Sequence, residues 1–426
     1  MAAQIKFNGP LSVAHYMRRS LNHPTHGYYS QQTVFGTDGD FVTSPEISQL
    51  FGEMVGVWFM TNWIAANRPS RVQIVELGPG RGTLLADMLR ALQAFRMFGT
   101  SLSRIVLIEA SPKLREEQLR AVMSAFPGTS VDRESRNDFK HLDRAVLSNQ
   151  LEVLWYEHLQ DMEHDDHTFL IAHEFFDALP VYKFKKTEAG WREILVDIDE
   201  ASDGHGRPVP PHHFRYALAP QKTPTVSAML ESTKRYENCV EGDVVEICPE
   251  ATGYIQRIAD VVGSTKGSAL VMDYGNDYAS PASLRAIRKH QFVSVFESPG
   301  MCDLTADVDF SLLRWALEPY ARGNTDGHPP VRVYGPTTQR HFLARMGIED
   351  RARMLLRAAP DAEAKMALRT GLTRLMSKKE MGTVYKMLAI VADDDVESST
   401  SSGKPKQPPA AFEAADFPTP MDRPST

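Results

Sequence analysis

The chain has 426 residues, a formal net charge of −7 and 42% hydrophobic residues. This length allows a large core and more than one structural unit, and the mild negative charge argues against a nucleic-acid-binding surface, which is normally basic. No apolar stretch of the sequence approaches the roughly 20 residues that a membrane-spanning helix needs.

The cysteines and the N-terminus bear on the cellular compartment. Cys239, Cys248 and Cys302 are odd in number and lack the paired spacing of a metal site, so we expect thiols in a reducing compartment. The opening stretch MAAQIKFNGP lacks the apolar core of a signal peptide and is too short for an obvious transit peptide. Composition alone therefore leaves the compartment open.

The first 70 residues are predicted to be mainly helical. A short helix is predicted over Leu11–Leu21, and another begins at TSPE, residues 43–46. The threonine and glutamate of TSPE have the spacing of a capping box, and its proline suits a first helical turn. Apolar residues then recur at helical spacing from Ile47 to Trp58.

Strands and helices alternate after Arg71. The predicted strands are Val72–Leu77, Arg104–Glu109, Thr168–His173 and Ala269–Tyr274. A helix is predicted over Thr83–Phe98, and another begins at Ser111-Pro112. Such alternation indicates a doubly wound sheet with parallel strands, so the predicted fold class is α/β.

Two segments depart from this alternation. Residues 181–245 contain two strand candidates, Trp191–Ile198 and His213–Leu218, without a long helix, and we predict an inserted β-rich lobe. From about Asp393 the chain becomes acidic and rich in serine and proline, as in DDDVESSTSSGKPKQPP. Residues 393–426 are therefore predicted to be a disordered tail.

The stretch VELGPGRG, residues 75–82, is the first candidate for a binding site. A strand that ends in glycine and runs into a helix brings backbone N–H groups and a helix N-terminus to one point. Gly78, Gly80 and Gly82 let a ligand approach closely, because any Cβ would intrude. A valine at Gly80 or Gly82 is thus expected to abolish binding in a folded protein. The alternative is a tight turn that binds nothing.

Two details favour a nucleoside ligand over a dinucleotide. The dinucleotide fingerprint requires a third glycine at the position of Thr83, whereas here the spacing is Glu76-x-Gly-x-Gly-x-Gly. The second strand ends in Glu109, whose carboxylate can accept both ribose hydroxyls. Without a pyrophosphate to bind, the helix end suits the amino-acid portion of S-adenosylmethionine. The pattern therefore favours a class I (Rossmann-like) methyltransferase over a nicotinamide dehydrogenase.

A set of longer motifs closely resembles the MidA family of S-adenosylmethionine-dependent protein arginine methyltransferases. In order, the motifs are GDFVTSPEISQLFGEMVGVW (39–58), VELGPGRGTLLADMLR (75–90), EASPKLREEQ (109–118), AHEFFDALPVYKF (172–184), MDYG (272–275), PGMCDLTADVDF (299–310), FLARMGI (342–348) and MGTVYKMLAI (381–390). The resemblance covers about residues 8–392 and is greatest to the mitochondrial members that assist assembly of respiratory complex I.

The resemblance implies an architecture and a function. It implies a catalytic domain over residues 71–392, a substrate lobe at 181–245 and an N-terminal helical segment, residues 1–70, over the cofactor crevice. It implies S-adenosylmethionine as cofactor, and as substrate an arginine of a core subunit in the peripheral arm of complex I. The implied location is the mitochondrial matrix, with the cytoplasm as alternative. The alternative function is an assembly chaperone that binds the cofactor without essential catalysis.

The sequence AHEFFDALP, residues 172–180, supplies the candidate catalytic acids Glu174 and Asp177. It follows a predicted strand, and the carboxyl ends of parallel strands form the ligand crevice. Carboxylates that clamp a guanidinium localise its charge on the nitrogens that they face and leave the third nitrogen more nucleophilic. Alternatively, Asp177 caps the following turn and Phe175 and Phe176 belong to the core.

Two other clusters of metal-type residues are predicted to hold no metal. HDDH, residues 164–167, lies in a polar run before a strand, so a solvated loop is expected. Asp303, Asp307 and Asp309 precede the apolar helix Phe310–Leu317, where capping and helix-dipole roles are expected. A substrate-side role for this second stretch stays open, because the resemblance brings it near the catalytic site.

Overall fold

The computed structural model describes residues 1–30, 43–134, 141–163, 166–199, 214–321, 328–393 and 407–413. The chain divides into two compact units. The first unit comprises Met1–Val42, Phe176–Tyr254 and Asn276–Leu312. The second unit comprises Thr43–Phe175, Ile255–Gly275 and Leu313–Thr426.

The chain combines helices and strands, as expected of an α/β protein, although helices do not separate all consecutive strands. The strands are β1 Leu11–Ser12, β2 Val72–Leu77, β3 Leu102–Ile108, β4 Val131–Glu134, β5 Asp143–Leu147, β6 Glu152–Tyr156, β7 His167–His173, β8 Tyr182–Thr187, β9 Gly190–Ile198, β10 Phe214–Leu218, β11 Val244–Ile247, β12 Ser268–Asn276, β13 Arg285–Arg288, β14 Gln291–Val293, β15 Asp303–Thr305, β16 Val308–Asp309, β17 Val331–Thr338 and β18 Tyr385–Ala392.

The helices are mostly short. They are α1 Ala2–Asn8, α2 Val13–Asn22, α3 Ser44–Ile47, α4 Gln49–Ala65, α5 Thr83–Gln93, α6 Arg96–Ser101, α7 Pro112–Ala125, α8 Pro224–Val226, α9 Pro249–Ser264, α10 Phe310–Ala316, α11 Glu318–Ala321, α12 Gln339–Arg345, α13 Ile348–Ala358, α14 Ala362–Met376 and α15 Met381–Val384. Among the described residues, no helix has the length and apolar character to cross a membrane.

The second unit contains a large mixed sheet, in the strand order β17-β18-β12-β7-β2-β3-β6-β5-β4. Its five central strands, from β12 to β6, are parallel, and the flanking pairs are antiparallel. Every residue of β2 is buried, as expected for a strand covered on both faces. The predicted α/β class with a Rossmann-like sheet is confirmed.

The register of the central strands positions the candidate site. Leu77 at the end of β2 lies opposite Ile108 of β3 and Ala172 of β7. The loops that follow these three strands therefore begin at the same edge of the sheet. The glycine loop, Glu109 and Glu174 all belong to these loops.

Helix α4 packs closely on α5 against the sheet. A Cβ at Gly52 would lie 2.5 Å from Cβ of Asp87, and one at Gly56 would lie 3.0 Å from Cγ of Met88. Only glycine allows this approach.

The prediction of a single helix that begins at TSPE is wrong in one respect. Ser48 is extended, with φ −164°, and it ends α3 and caps α4 by accepting from the N–H of Leu50 at 3.3 Å.

The first unit is built around a smaller antiparallel sheet. Its strands have the order β1-β9-β8-β11, with β10 paired to β9, and a separate three-stranded sheet has the order β14-β13-β15. Three of these strands, β8, β9 and β10, lie within the β-rich lobe predicted at 181–245, and β11 begins at its end. Its core includes the fully buried Met17 and Phe184.

Several predicted boundaries differ from the structure. Residues 1–70 do not form one segment, because β1 pairs with β9 in the first unit while α4 packs on α5 in the second. The lobe predicted at 181–245 belongs to a larger unit that also holds Asn276–Leu312. The helix predicted over Thr83–Phe98 ends at Gln93, and α6 follows it.

The predicted disordered tail contains one packed stretch, residues 407–413. Phe412 is 1% exposed and packs against Trp58 and Phe342, at ring-centroid distances of 6.3 and 6.0 Å. The indole N–H of Trp58 donates to the carbonyl of Ala410 at 3.0 Å. The apolar Ala-Ala-Phe within a polar tail accounts for this packing. Residues 394–406 and 414–426 lie outside the described residues.

Candidate functional site

The glycine loop joins β2 to α5 with a strongly curved backbone. Gly78, Gly80 and Gly82 have φ of 59°, 52° and 80°, in the left-handed region that favours glycine. Gly82 is the N-cap of α5, and its N–H donates to the carbonyl of Pro79 at 2.8 Å. The loop thus presents bare backbone at the positive end of a helix.

Glu76, just before the loop, is a buried acid. It is 2% exposed, and its Oε2 has no hydrogen-bond partner among the described residues. Burial raises the pKa of Glu76 to about 8, so the side chain is largely protonated at neutral pH without a cationic partner. A buried polar atom left without a partner is costly, and a bound ligand would provide one.

Gly78 and Gly82 have different neighbours. A Cβ at Gly78 would lie 3.1 Å from Cδ2 of Phe175, and one at Gly82 would lie 3.0 Å from Cβ of Ala121 on α7. The sequence predicts that a side chain at Gly82 takes the place of the ligand, but in the structure a Cβ at this position points toward α7. This corresponds to the close helix packing that a third glycine serves in nucleotide-binding loops.

Glu109 follows β3 and is linked to the glycine loop by Gln118. Glu109 accepts from the N–H of Ser111 at 2.8 Å and from Nε2 of Gln118 at 3.2 Å. The same amide nitrogen donates to the carbonyl of Gly80 at 2.8 Å, and the indole of Trp155 donates to Oε1 of Gln118 at 2.8 Å. Burial raises the pKa of Glu109, although these donors oppose the shift.

Gln118 was missed by the sequence reasoning. It is fully buried on α7, beside the buried Leu119 and Val122. A glutamine on the apolar face of an otherwise charged helix is the signal that could have identified it, because a buried amide needs partners.

Glu174 follows β7 in a strained conformation. Its φ is 49°, a left-handed value that a non-glycine residue adopts only where its surroundings enforce it. Its N–H donates to the carbonyl of Met272 at 2.9 Å, and the hydroxyl of Tyr385 donates to its Oε1 at 2.9 Å. The side chain is only 8% exposed. Tyr385, at the start of β18, was also missed by the sequence reasoning, although MGTVYKMLAI contains it.

His173 lies beside Glu174 but is not a cation. Burial lowers the pKa of His173 to about 3, so the ring is neutral at physiological pH. Its Nε2 lies 3.5 Å from Oε1 of Glu174, and the ring packs against Phe51 at 5.2 Å between centroids. Within the described residues this nitrogen has no hydrogen-bond partner. The pair is thus a contact of a neutral imidazole with a carboxyl group.

Asp177, the second candidate acid, lies in the first unit. Its Oδ2 accepts from the hydroxyl of Thr305 at 2.7 Å, and its carbonyl accepts from the N–H of Ala306 at 3.0 Å. Asp177 therefore anchors the chain near β15. This is the kind of structural role that was its alternative interpretation.

The clusters predicted to hold no metal have structural roles where they are described. Asp309 accepts from the N–H of Leu312 at 3.0 Å, so the predicted cap of α10 is confirmed. Asp307 pairs with Arg285 at 2.6 Å. No group of three or more metal-type ligands occurs within the described residues.

The prediction of a solvated loop for HDDH is wrong at Asp166, and residues 164 and 165 lie outside the described residues. Asp166 is 7% exposed and accepts from Nε of Arg71 at 2.8 Å and from the hydroxyl of Ser103 at 2.7 Å. These partners lie at the starts of the neighbouring strands, and they offset the cost of burying the charge.

The residues of the second unit fit S-adenosylmethionine. The Oε2 atom of Glu76 has no partner among the described residues and lies directly before the loop, which suits the cationic amino-acid portion of that cofactor. The left-handed glycines allow close approach, and Glu109, oriented by Ser111 and Gln118, keeps acceptor capacity for ribose hydroxyls.

Comparisons with known proteins agree with this fit. A family model of S-adenosyl-L-methionine-dependent methyltransferases matches residues 54–327. The rat protein named Protein arginine methyltransferase NDUFAF7, mitochondrial is 40% identical over 405 residues, covering 94% of this chain and 85% of its own. The human protein of the same name is 37% identical over 393 residues, covering 91% and 81%. These names support the predicted mitochondrial location.

A solved structure is similar over most of the chain. It is the crystal structure of a COG1565 superfamily member from Burkholderia thailandensis bound to S-adenosyl-homocysteine. It matches with a TM-score of 0.69 and 25% identity, covering 92% of this chain and 90% of its own. The predicted cofactor is thus confirmed at the level of the family.

Proposed function

The chain belongs to the family of S-adenosyl-L-methionine-dependent methyltransferases, and from this premise we propose that it transfers the methyl group to an arginine side chain of a protein. The observation that carries the proposal is the placement of Glu174. Glu174 follows β7 with a strained backbone and a hydrogen-bonded carboxyl group. The next residue, Phe175, packs on Gly78, so an oriented acid directly precedes a residue that contacts the glycine loop.

In the proposed mechanism the second unit holds the cofactor. Glu76, the backbone of Gly78 to Gly82, and Glu109 hold its amino-acid and ribose portions. When bound, the cofactor supplies a methyl group on a sulfonium, and the sulfur leaves as a thioether. The chain's own contribution is to fix this group in one place, since displacement demands a collinear approach.

Glu174 acts on the substrate. A guanidinium stays protonated in water, and a carboxylate that accepts its N–H bonds localises the positive charge on the nitrogens it faces. The remaining nitrogen becomes the better nucleophile, forms the N–C bond and then loses a proton. Asp177 is the second candidate acid in this proposal, although its bond to Thr305 fits an anchoring role.

The proposed substrate is a core subunit in the peripheral arm of respiratory complex I. The names of the relatives support arginine methylation and a mitochondrial site of action, and the choice of this subunit rests on the resemblance of the sequence motifs. In the proposal, the matrix is the compartment and 181–245 contributes to substrate binding. A chaperone that binds the cofactor without essential catalysis is the competing function.

The test replaces Glu174 by glutamine. The amide keeps the size but loses the charge that holds the guanidinium, so single-turnover methyl transfer should fall by about a hundredfold to a thousandfold. Affinity for S-adenosylhomocysteine, measured by calorimetric titration, should stay unchanged, because the residue faces the acceptor.

Glu152→Gln is the matched control. This variant loses the same charge in the same unit, but at a residue that pairs with Arg104 and Arg144 on the sheet. It should transfer methyl groups at the wild-type rate. Near-normal transfer by Glu174→Gln would remove Glu174 from the mechanism, and weakened cofactor binding would place it on the wrong side of the crevice.

A further inference from the structure

The hydroxyl of Tyr385 holds one oxygen of Glu174. It donates to Oε1 at 2.9 Å from the first residue of β18, in the same unit as Glu174. Tyr385 is 4% exposed, so this bond lies away from bulk water, where a hydrogen bond to a carboxylate is strong.

Tyr385 is itself held firmly. Its register partner across the antiparallel pair is Tyr274 of β12, and the two rings meet edge to face with centroids 5.6 Å apart. Tyr274 is 3% exposed. The next residue, Lys386, ties the start of β18 to the carbonyl of Gly275 at 2.9 Å. A hydroxyl on so rigid a base can fix the direction of the group it binds.

The backbone of Glu174 is also held in place. Its N–H bonds to the carbonyl of Met272 on β12, and its φ of 49° sets the direction in which the side chain leaves the chain. The neighbouring His173 does not orient the carboxyl group, since its neutral ring lies 3.5 Å from Oε1. Backbone strain and the tyrosine bond thus act together on one carboxyl group.

We infer that Tyr385 is a positioning residue for the methyl transfer, which orients the Glu174 carboxylate toward the guanidinium by holding its Oε1. This inference rests on the proposed function. Tyr385 acts only through Glu174, so its effect must disappear when the carboxylate is gone.

The test is a double-mutant cycle on full-length protein with an arginine-containing substrate protein. Tyr385→Phe keeps the ring and removes the hydroxyl, and single-turnover transfer should fall about tenfold with unchanged affinity for S-adenosylhomocysteine. In the Glu174→Gln background the same change should cost nothing further, because residues that act as a unit are not additive.

Tyr320→Phe is the control. Tyr320 donates to Oδ1 of Asp260 at 2.9 Å in the same unit, so the variant loses the same type of bond and should keep the wild-type rate. Two results would overturn the inference while leaving arginine methylation intact. The first is a Tyr385→Phe variant that transfers methyl groups at the wild-type rate, and the second is a loss of about tenfold from Tyr385→Phe that also occurs in the Glu174→Gln background. A wild-type protein that methylates no arginine would overturn both.

Discussion

At the scale of single residues, the raised pKa of Glu76 predicts that the stability of the fold depends on pH. Its pKa is raised from 4.5 to about 8 by burial, so the folded protein without ligand binds its proton more tightly than the unfolded chain does. Stability contributed by the protonated acid is therefore present in full below about pH 4.5. It is lost as the pH rises through the folded pKa, by at most about 1.4 kcal/mol for each pH unit.

Glu76→Gln should remove this loss. The amide carries no proton equilibrium, so the free energy of unfolding of the variant, relative to wild type, should improve as the pH rises from about 5 to 8. Denaturant unfolding over this pH range measures the difference. A difference that does not change with pH would show that Glu76 is ionised in the folded protein.

Glu152→Gln provides a control of opposite sign. Burial opposes ionisation of Glu152, but hydrogen bonds and charges from Arg144 and Arg104 lower its pKa overall. Its contribution to stability is present above the unfolded pKa and is lost as the pH falls. This variant should therefore lose stability, relative to wild type, as the pH rises through about 4.5, and the difference should stay constant from about pH 5 to 8.

The sequence could predict some of these residues but not their partners. Glu76, Glu109 and Glu174 could be selected because acids at strand ends beside a glycine loop are unusual in a parallel sheet. Gln118 and Tyr385 could not, because their significance lies in contacts across the fold, such as the bond between residues 174 and 385. Single-sequence patterns contain no information on such distant pairs.

At the scale of elements, the glycine loop and α7 form one assembly. Gly82 allows α7 to approach, and Gln118 on α7 then bonds to both Gly80 and Glu109. The shape of the loop and the position of Glu109 are thus coupled through a single helix. A change at Gly82 should affect both.

Gly82→Ala should weaken binding of S-adenosylhomocysteine and lower stability together. The new Cβ would lie 3.0 Å from Ala121 and 3.3 Å from Cα of Gln118, so α7 must shift. Gly128→Ala is the matched control, since Gly128 has a similar φ of 83° with no atom within 4 Å. Calorimetric titration and thermal unfolding of both variants measure the two effects. Equal losses in the two variants would reduce the role of Gly82 to backbone strain.

Element boundaries were predicted best where a pattern is local. Strand β2 matches its predicted bounds, because a mostly apolar run of six residues lies between Arg71 and Gly78. The break at Ser48 was missed because apolar spacing continues across it. The packed Ala-Ala-Phe near residue 411 was missed because three residues are too few to form a periodic pattern.

At the scale of the whole molecule, the division into two units could not be predicted from local patterns. The first unit is assembled from three separate stretches of chain, and the second from three others. Strand β1 joins the sheet of the first unit by pairing with β9 across more than a hundred residues of sequence. The fold class could be predicted, since helices separate several of the parallel strands of the second unit.

The division also bears on the catalytic acids. Glu174 belongs to the unit with the glycine loop, and Asp177 belongs to the other, although only two residues separate them. We therefore propose that the chemistry takes place in the second unit, with Glu174 as its central acid. The competing chaperone function predicts binding of a partner without chemical change to it.

The most direct test is to incubate the purified protein with S-adenosylmethionine and complex I subunits from cells that lack it, and to locate new methyl groups by tandem mass spectrometry. We expect methylation on an arginine of a core peripheral-arm subunit with wild-type protein and its near absence with Glu174→Gln. Subunits that bind the protein but acquire no methylarginine would contradict the proposed arginine methylation and favour the chaperone function.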